Sequence, residues 1–184
     1  MNHLRENPIG IEDVIQTAQK RIYSHLMSKW GENISLDGYG RCYLNKNRVE
    51  GERDSFVPEF YLKNNEYSSL LHLEGNKFFF MADSKWDSVG NFSYKTEVSV
   101  YFILNLDEIR PDSLHRDDAN VISDCFDAVS RTYLGEFDVE TDTKKVYEDF
   151  KVNGSDIDNV HPYLVFKFKT KDTRFKINRK HKSC

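Results

Sequence analysis

The chain is poor in cysteine, and the three it has, Cys42, Cys125 and Cys184, form no CxxC pair and leave an odd number. That excludes a disulfide framework, and with no apolar opening segment resembling a signal peptide it leads us to expect reduced thiols made in a cytoplasm. Long apolar runs are also missing. None approaches the roughly 20 residues a membrane-spanning helix needs, so no membrane partner is expected. The six histidines show neither HxxxH nor HExxH spacing, and GxSxG, GxGxxG and GxxxxGK[ST] do not occur. The familiar signatures of zinc chemistry, serine hydrolysis and nucleotide binding are therefore absent. No internal repeat or low-complexity block interrupts the sequence.

What is present suffices for one packed core. The 184 residues are 39% hydrophobic and 14% aromatic, enough for a domain of ordinary size. Tyr94 to Ile109 organises the rest. Its even positions (Tyr94, Thr96, Val98, Val100, Phe102, Leu104, Leu106) form an unbroken mainly apolar row, while Lys95, Glu97, Ser99, Asn105 and Asp107 alternate with them. That period of two predicts a strand. Tyr101 and Ile103 intrude on the polar row, so the middle of the strand is expected to be covered on both faces.

Around this strand the order of elements can be read off. Met1 to Gly10 is a polar lead-in. Ile11, Val14, Ile15, Ala18, Ile22, Leu26 and Trp30 recur at helical spacing, with Glu12 and Asp13 in the first turn and Gly31 as the stop. Gly38 to Asn45 predicts a short strand, Asn45 to Ser55 an exposed loop, and Phe56 to Leu62 an edge strand because Pro58 lacks a ladder donor. Glu66 to Leu73 suggests a helical turn or two, and Phe78 to Ala82 an apolar strand. A second helix begins at Asp117 and Asp118 and buries Val121, Ile122, Cys125, Phe126, Val129 and Tyr133. Phe137 and Val139 suggest a strand, Val146 to Phe150 a helical turn, and Asn153-Gly154 a tight turn. Pro162 to Phe168 supplies a closing strand. The expected fold is α+β: a mostly antiparallel sheet with two helices packed on one face. Residues 1–170 form the domain, and 171–184 form a basic C-terminal tail.

Charge is distributed unevenly. The net charge is −4, yet from Lys167 onward eight cations face only Asp172, a net +7 that leaves −11 on the remaining residues. Such a tail on an acidic body engages an acidic partner, nucleic acid or a neighbouring copy, or else is a solvated end. Phe175, between Arg174 and Lys176, either stacks on a nucleotide or anchors the tail to the body. The carboxylates after the organising strand (Asp107, Glu108, Asp112, Asp117, Asp118) are of the kind that holds magnesium in a nuclease. Asp117 and Asp118 are already accounted for as helix-start residues. Asp124 and Asp127 are expected to be solvated, and Cys125 to be a buried thiol.

The opening helix, Val57-Pro58-Glu59-Phe60-Tyr61, Phe78-Phe79-Phe80, VSVYFILNLDEI, a helix and the closing HPYLVFKFK together resemble tailed-bacteriophage neck proteins, the tail terminators and head-to-tail connectors. The resemblance covers roughly Ile11 to Thr170 and rests on element order. It implies a structural virion protein of the neck or tail, with no catalytic or metal residue and no cofactor. Subunits would form a hexameric or dodecameric ring between portal, adaptor and tail proteins, with DNA passing through the lumen. A closed ring needs two different patches per subunit. The implied pair is Lys171, Arg174, Phe175, Lys176, Arg179, Lys180 and Lys182 against Glu136, Asp138, Glu140 and Asp142. The insert from Asn45 to Ser55 and the basic tail depart from the family pattern. Two other classes stay open: a metal-dependent nuclease using Asp107 and Asp112, and a small nucleic-acid-binding accessory protein working through the tail. Truncation after Thr170 is expected, on this reading, to leave the melting temperature nearly unchanged.

Overall fold

The computed structural model describes residues 1–47, 55–62, 66–150 and 160–177. Helix α1 (Ile11–Trp30) runs the length its apolar stripe predicts and ends at Gly31, whose φ of +94° is open to glycine at little steric expense. Its buried face (Ile11, Ile15, Ala18, Ile22, Leu26) lies on a seven-stranded mixed sheet. The strand order is β1 (Asn2–His3), β2 (Leu36–Arg41), β6 (Asn76–Ala82), β8 (Ser93–Asn105), β10 (Tyr163–Lys176) and β9 (Phe137–Glu140), while β7 (Asp87–Gly90) forms a hairpin with the start of β8. Helix α3 (Asp118–Ser130) joins α1 on the same face, burying Val121, Cys125, Ala128 and Val129 against Val98, Val100, Phe102 and Leu104. The architecture is thus α+β with two long helices on one face of a mostly antiparallel sheet.

The organising strand is central. Phe102 stands opposite Phe78 on β6 and Phe166 on β10. It stacks on both rings, with centroids 5.7 and 5.0 Å away. The strand stops earlier than its apolar row does: the Asn105 side chain accepts from the Asp107 amide at 3.1 Å and starts a single helical turn, α2 (Leu106–Ile109). Leu106 and Ile109 are three apart, so that turn buries both.

The odd face is covered too, as Tyr101 and Ile103 foretold. A second, three-stranded antiparallel sheet, β3 (Tyr43–Asn47), β4 (Ser55–Leu62) and β5 (Glu66–Ser69), and the short helix α4 (Thr143–Glu148) pack there. Phe60, Leu70, Val146, Tyr147 and Phe150 meet Phe79, Tyr101, Ile103 and Val165. The excursion through this small sheet is also the crossover that lets β2 and β6 run parallel.

Several sequence expectations are corrected. The Gly38 to Asn45 strand is two strands that break at Cys42 and join different sheets. Asn45, Lys46 and Asn47 belong to β3, and residues 48–54 of the expected loop lie outside the described residues. Strand β4 is the middle strand of its sheet, not an edge. Pro58 is tolerated because its carbonyl accepts from the Leu70 amide (3.1 Å) just past the end of β5, where the missing donor forfeits only one closing bond. Glu66–Ser69 pairs as a strand rather than a helical turn. The lead-in is anchored: Asn2 and His3 pair in parallel with Gly38 and Tyr39, and the buried Gln19 amide donates to Asn2 Oδ1, His3 O and Gly38 O at 2.7 to 2.9 Å. Gly38 has no room for a side chain, since a Cβ there would lie 2.7 Å from the Phe78 ring. Phe126 on α3 and Tyr133 just beyond its end point outward, 47% and 76% exposed. Strand β10 does not end at Phe168 but runs on to Lys176, so the expected boundary at Thr170 falls inside it.

Candidate inter-subunit docking surface

Pairing of β9 with β10 brings the acidic and basic candidates together within one chain. Lys169 stands opposite Asp138 and Thr170 opposite Phe137. Lys171 Nζ lies 2.9 Å from Asp138, a hydrogen bond that raises the lysine's pKa. Lys145 reaches Glu140 at 3.6 Å. Asp142 caps α4, accepting from the Lys144 amide at 3.0 Å, and Glu136 is exposed just before β9. Part of the charge complementarity expected between neighbours is therefore met inside the subunit. Arg174 and Lys176 are exposed on the last turn of β10, and Arg179, Lys180 and Lys182 lie outside the described residues.

Phe175 takes the anchoring role. It is 3% exposed, stacked on Tyr94 (5.7 Å between centroids) and edge-on to Trp86 (5.0 Å). A ring held this way is not presented to a nucleotide. The hairpin that carries Trp86 is unusual at its tip. Asn91 and Phe92 both adopt positive φ (+45° and +60°), a conformation disfavoured for a bulky aromatic. Phe92 is 63% exposed, with Val89 and Trp86 half-exposed beside it. A second apolar patch lies elsewhere, where Phe126 of α3 packs edge-on to Phe137 of β9 (5.2 Å) next to exposed Val139. The hairpin sits on the β6 side of β8, and β9 sits beyond β10, so the two patches belong to different flanks of the sheet.

The carboxylates after β8 are dispersed. Asp107 and Asp112 are exposed, Glu108 accepts from Asn76 (2.7 Å) and Asn105 (3.1 Å), Asp117 pairs with Arg110 (3.5 Å) and Asp118 with Arg116 (2.7 Å). Among the described residues, no three His, Cys, Asp or Glu side chains converge as metal ligands. Asp124 is a correction. It is buried and takes three donors at once: Trp30 Nε1 (2.8 Å), Arg110 (2.7 Å) and Lys29 (2.7 Å). Its position, three after Val121 and four before Ala128, puts it on the buried stripe. Asp124→Ala strands those donors and is expected to lower unfolding free energy by about 1.5–3 kcal/mol, measured by urea denaturation; a change within about 0.5 kcal/mol would mean the cluster is solvated.

A groove of about 480 Å³ separates β3 from the odd face of the main sheet. Tyr101 donates to Asp149 at 2.7 Å at its edge, and Lys167 bridges to the same carboxylate. Burial pushes the pKa of Tyr101 and of the neighbouring Cys42 thiol upward, so both stay protonated near neutrality. Cys125, fully buried, is likewise held as a thiol. The groove thus presents the Lys167–Asp149 and Lys169–Glu97 pairs beside a protonated phenol and thiol. Beside it lies a second cluster that sequence reasoning missed, in which Arg5 and Arg41 each reach Glu12 at 3.1 Å and Tyr43 donates to it at 3.0 Å. Arg5 lies in the lead-in and carries no periodic signal.

Among the described residues no helix is long and apolar enough to cross a membrane. No known protein family, curated protein or solved structure matches the chain.

Proposed function

We propose that the chain is a structural ring subunit of a tailed-bacteriophage neck or tail-terminating region, set between portal and tail proteins with DNA passing through the lumen. The observation that carries this reading is the pair of apolar patches on different flanks of the sheet, the Trp86–Val89–Phe92 hairpin and the Phe126–Val139 edge. A closed ring is built by docking one patch of a subunit on a different patch of the next. Trp86 and Phe126 also pack on the subunit's own Phe175 and Phe168, but Val89, Phe92 and Val139 keep 40% or more of their surface exposed, and apolar surface of this kind is what subunit docking covers.

Native mass spectrometry tests the reading. The wild type is expected at six or twelve times the 21.7 kDa subunit mass, and the Val89→Asp/Phe92→Asp variant at the subunit mass with an unchanged circular dichroism spectrum. A wild type that stays at the subunit mass at its highest soluble concentration would overturn the proposal. So would magnesium-dependent DNA cleavage that disappears in Asp107→Ala.

A further inference from the structure

The helix-covered side of the domain carries an open depression of about 520 Å³, bordered by Lys20, Arg21, Ser24 and His25 of α1 and by Arg131 at the end of α3. The two helices run antiparallel, so mid-α1 meets the α3 terminus while Lys29 and Trp30 reach back to Asp124. Arg21 donates to the Arg131 carbonyl at 3.0 Å, and its guanidinium lies 4.2 Å above the ring of exposed Tyr133.

No carboxylate borders this depression. Several cations elsewhere are neutralised at close range: Lys95 by Asp172, Lys169 by Glu97 and Lys171 by Asp138, all at 2.7 to 2.9 Å. Lys20 and Arg21, by contrast, have no carboxylate within 4.0 Å among the described residues, and Arg131 has only the half-exposed Asp127 at 3.8 Å. The same Asp127 is 4.0 Å from His25 Nε2, a buried atom with no hydrogen-bond partner among the described residues. Three fixed cations, Lys20, Arg21 and Arg131, thus share one face of a chain whose net charge is −4. An extended polyanion complements such a row of fixed cations.

We propose that this depression docks the phosphodiester backbone of DNA, with Lys20, Arg21 and Arg131 on successive phosphates. The contact reads no sequence, because phosphate contacts position a protein without distinguishing bases. It goes beyond the ring proposal by assigning a DNA-facing surface to the α1–α3 side, separate from the C-terminal basic stretch.

Fluorescence anisotropy with a labelled 30-base-pair duplex is the test. Three neutralised phosphates predict that affinity falls by about 40-fold between 50 and 200 mM salt. With Lys20→Ala/Arg131→Ala one contact remains, and the fall should shrink to about 4-fold, with weaker binding at the low-salt end. Arg174→Ala/Lys176→Ala should leave the slope unchanged. Absence of binding at low salt, an unaltered slope in the first variant, or a reduced slope in the second variant instead would each overturn the proposal. So would a Lys20→Ala/Arg131→Ala protein whose native mass changes while its DNA affinity does not, since the face would then belong to a second copy. A wild type that binds DNA as described yet remains a monomer would sink the ring reading alone.

Discussion

Phe102→Ala is expected to lower the free energy of unfolding by about 3–5 kcal/mol, the range for deleting a buried aromatic ring. The ring is fully buried and sits between Phe78 and Phe166 in a row that crosses three strands, with Phe168 edge-on at 5.7 Å. Helices α1 and α3 close over that row, so collapse around the void would have to move two helices and three paired strands together. Little relaxation is available, and the loss should fall near the upper part of the range. Leu114→Ala, at a side chain 93% exposed, gives the contrast: a change within about 0.5 kcal/mol. Urea denaturation of both variants reads the difference. A Phe102→Ala loss below about 1 kcal/mol would mean that β8 is peripheral and that the aromatic row is not the centre of the core.

The centre of this fold was legible because burial on each face writes its own period into the chain. The even row of β8 and the stripe of α1 are each long enough to average over exceptions, and both elements stand where their patterns place them. The intrusion of Tyr101 and Ile103 likewise foretold a second covering layer. What that layer is was not legible. Residues 43–47, 55–62 and 66–69 form short strands whose identity depends on pairing with one another, and pairing partners leave no mark in a local window. Asp124 was misjudged for a related reason. A carboxylate on a helix is read as solvated unless its partners are known, and Trp30, Lys29 and Arg110 come from two other elements. The candidate docking residues divide along the same line. Their charge asymmetry is visible in composition, but the pairing of β9 with β10, which sets Lys171 against Asp138 in the same subunit, is a long-range fact.

The pairing of β10 with β8 reverses the expected outcome of cutting the chain after Thr170. The sequence alone puts the end of the domain there, with only a charged tail beyond. In the structure β10 shifts register at a bulge after Thr170 and continues, with Thr173, Arg174, Phe175 and Lys176 paired to Thr96, Lys95, Tyr94 and Ser93. The bulge is internally bonded: the Thr170 hydroxyl accepts from the Val98 amide at 3.1 Å and meets Thr173 at 2.7 Å, and Thr173 donates to the Leu134 carbonyl at 2.8 Å. Truncation removes this ladder, strands the Leu134 carbonyl and uncovers Tyr94 by deleting Phe175. Loss of the buried phenylalanine alone is worth about 3–5 kcal/mol. For a domain of this length each kcal/mol moves the melting temperature by about 2–4 °C, so a fall of roughly 6–20 °C is expected. A cut after Ile177 is the informative partner, because it removes Arg179, Lys180 and Lys182 and spares the whole of β10. Its melting temperature should stay within about 2 °C of the full chain if those cations add no packing to the fold. If those three cations dock on a neighbour, the same cut weakens assembly, and raising the salt weakens assembly of the full chain in parallel. Scanning calorimetry on the two truncations separates the cases. Should the cut after Thr170 leave the melting temperature unchanged, Phe175 and its ladder add nothing to the fold, and the domain ends where the sequence alone puts it.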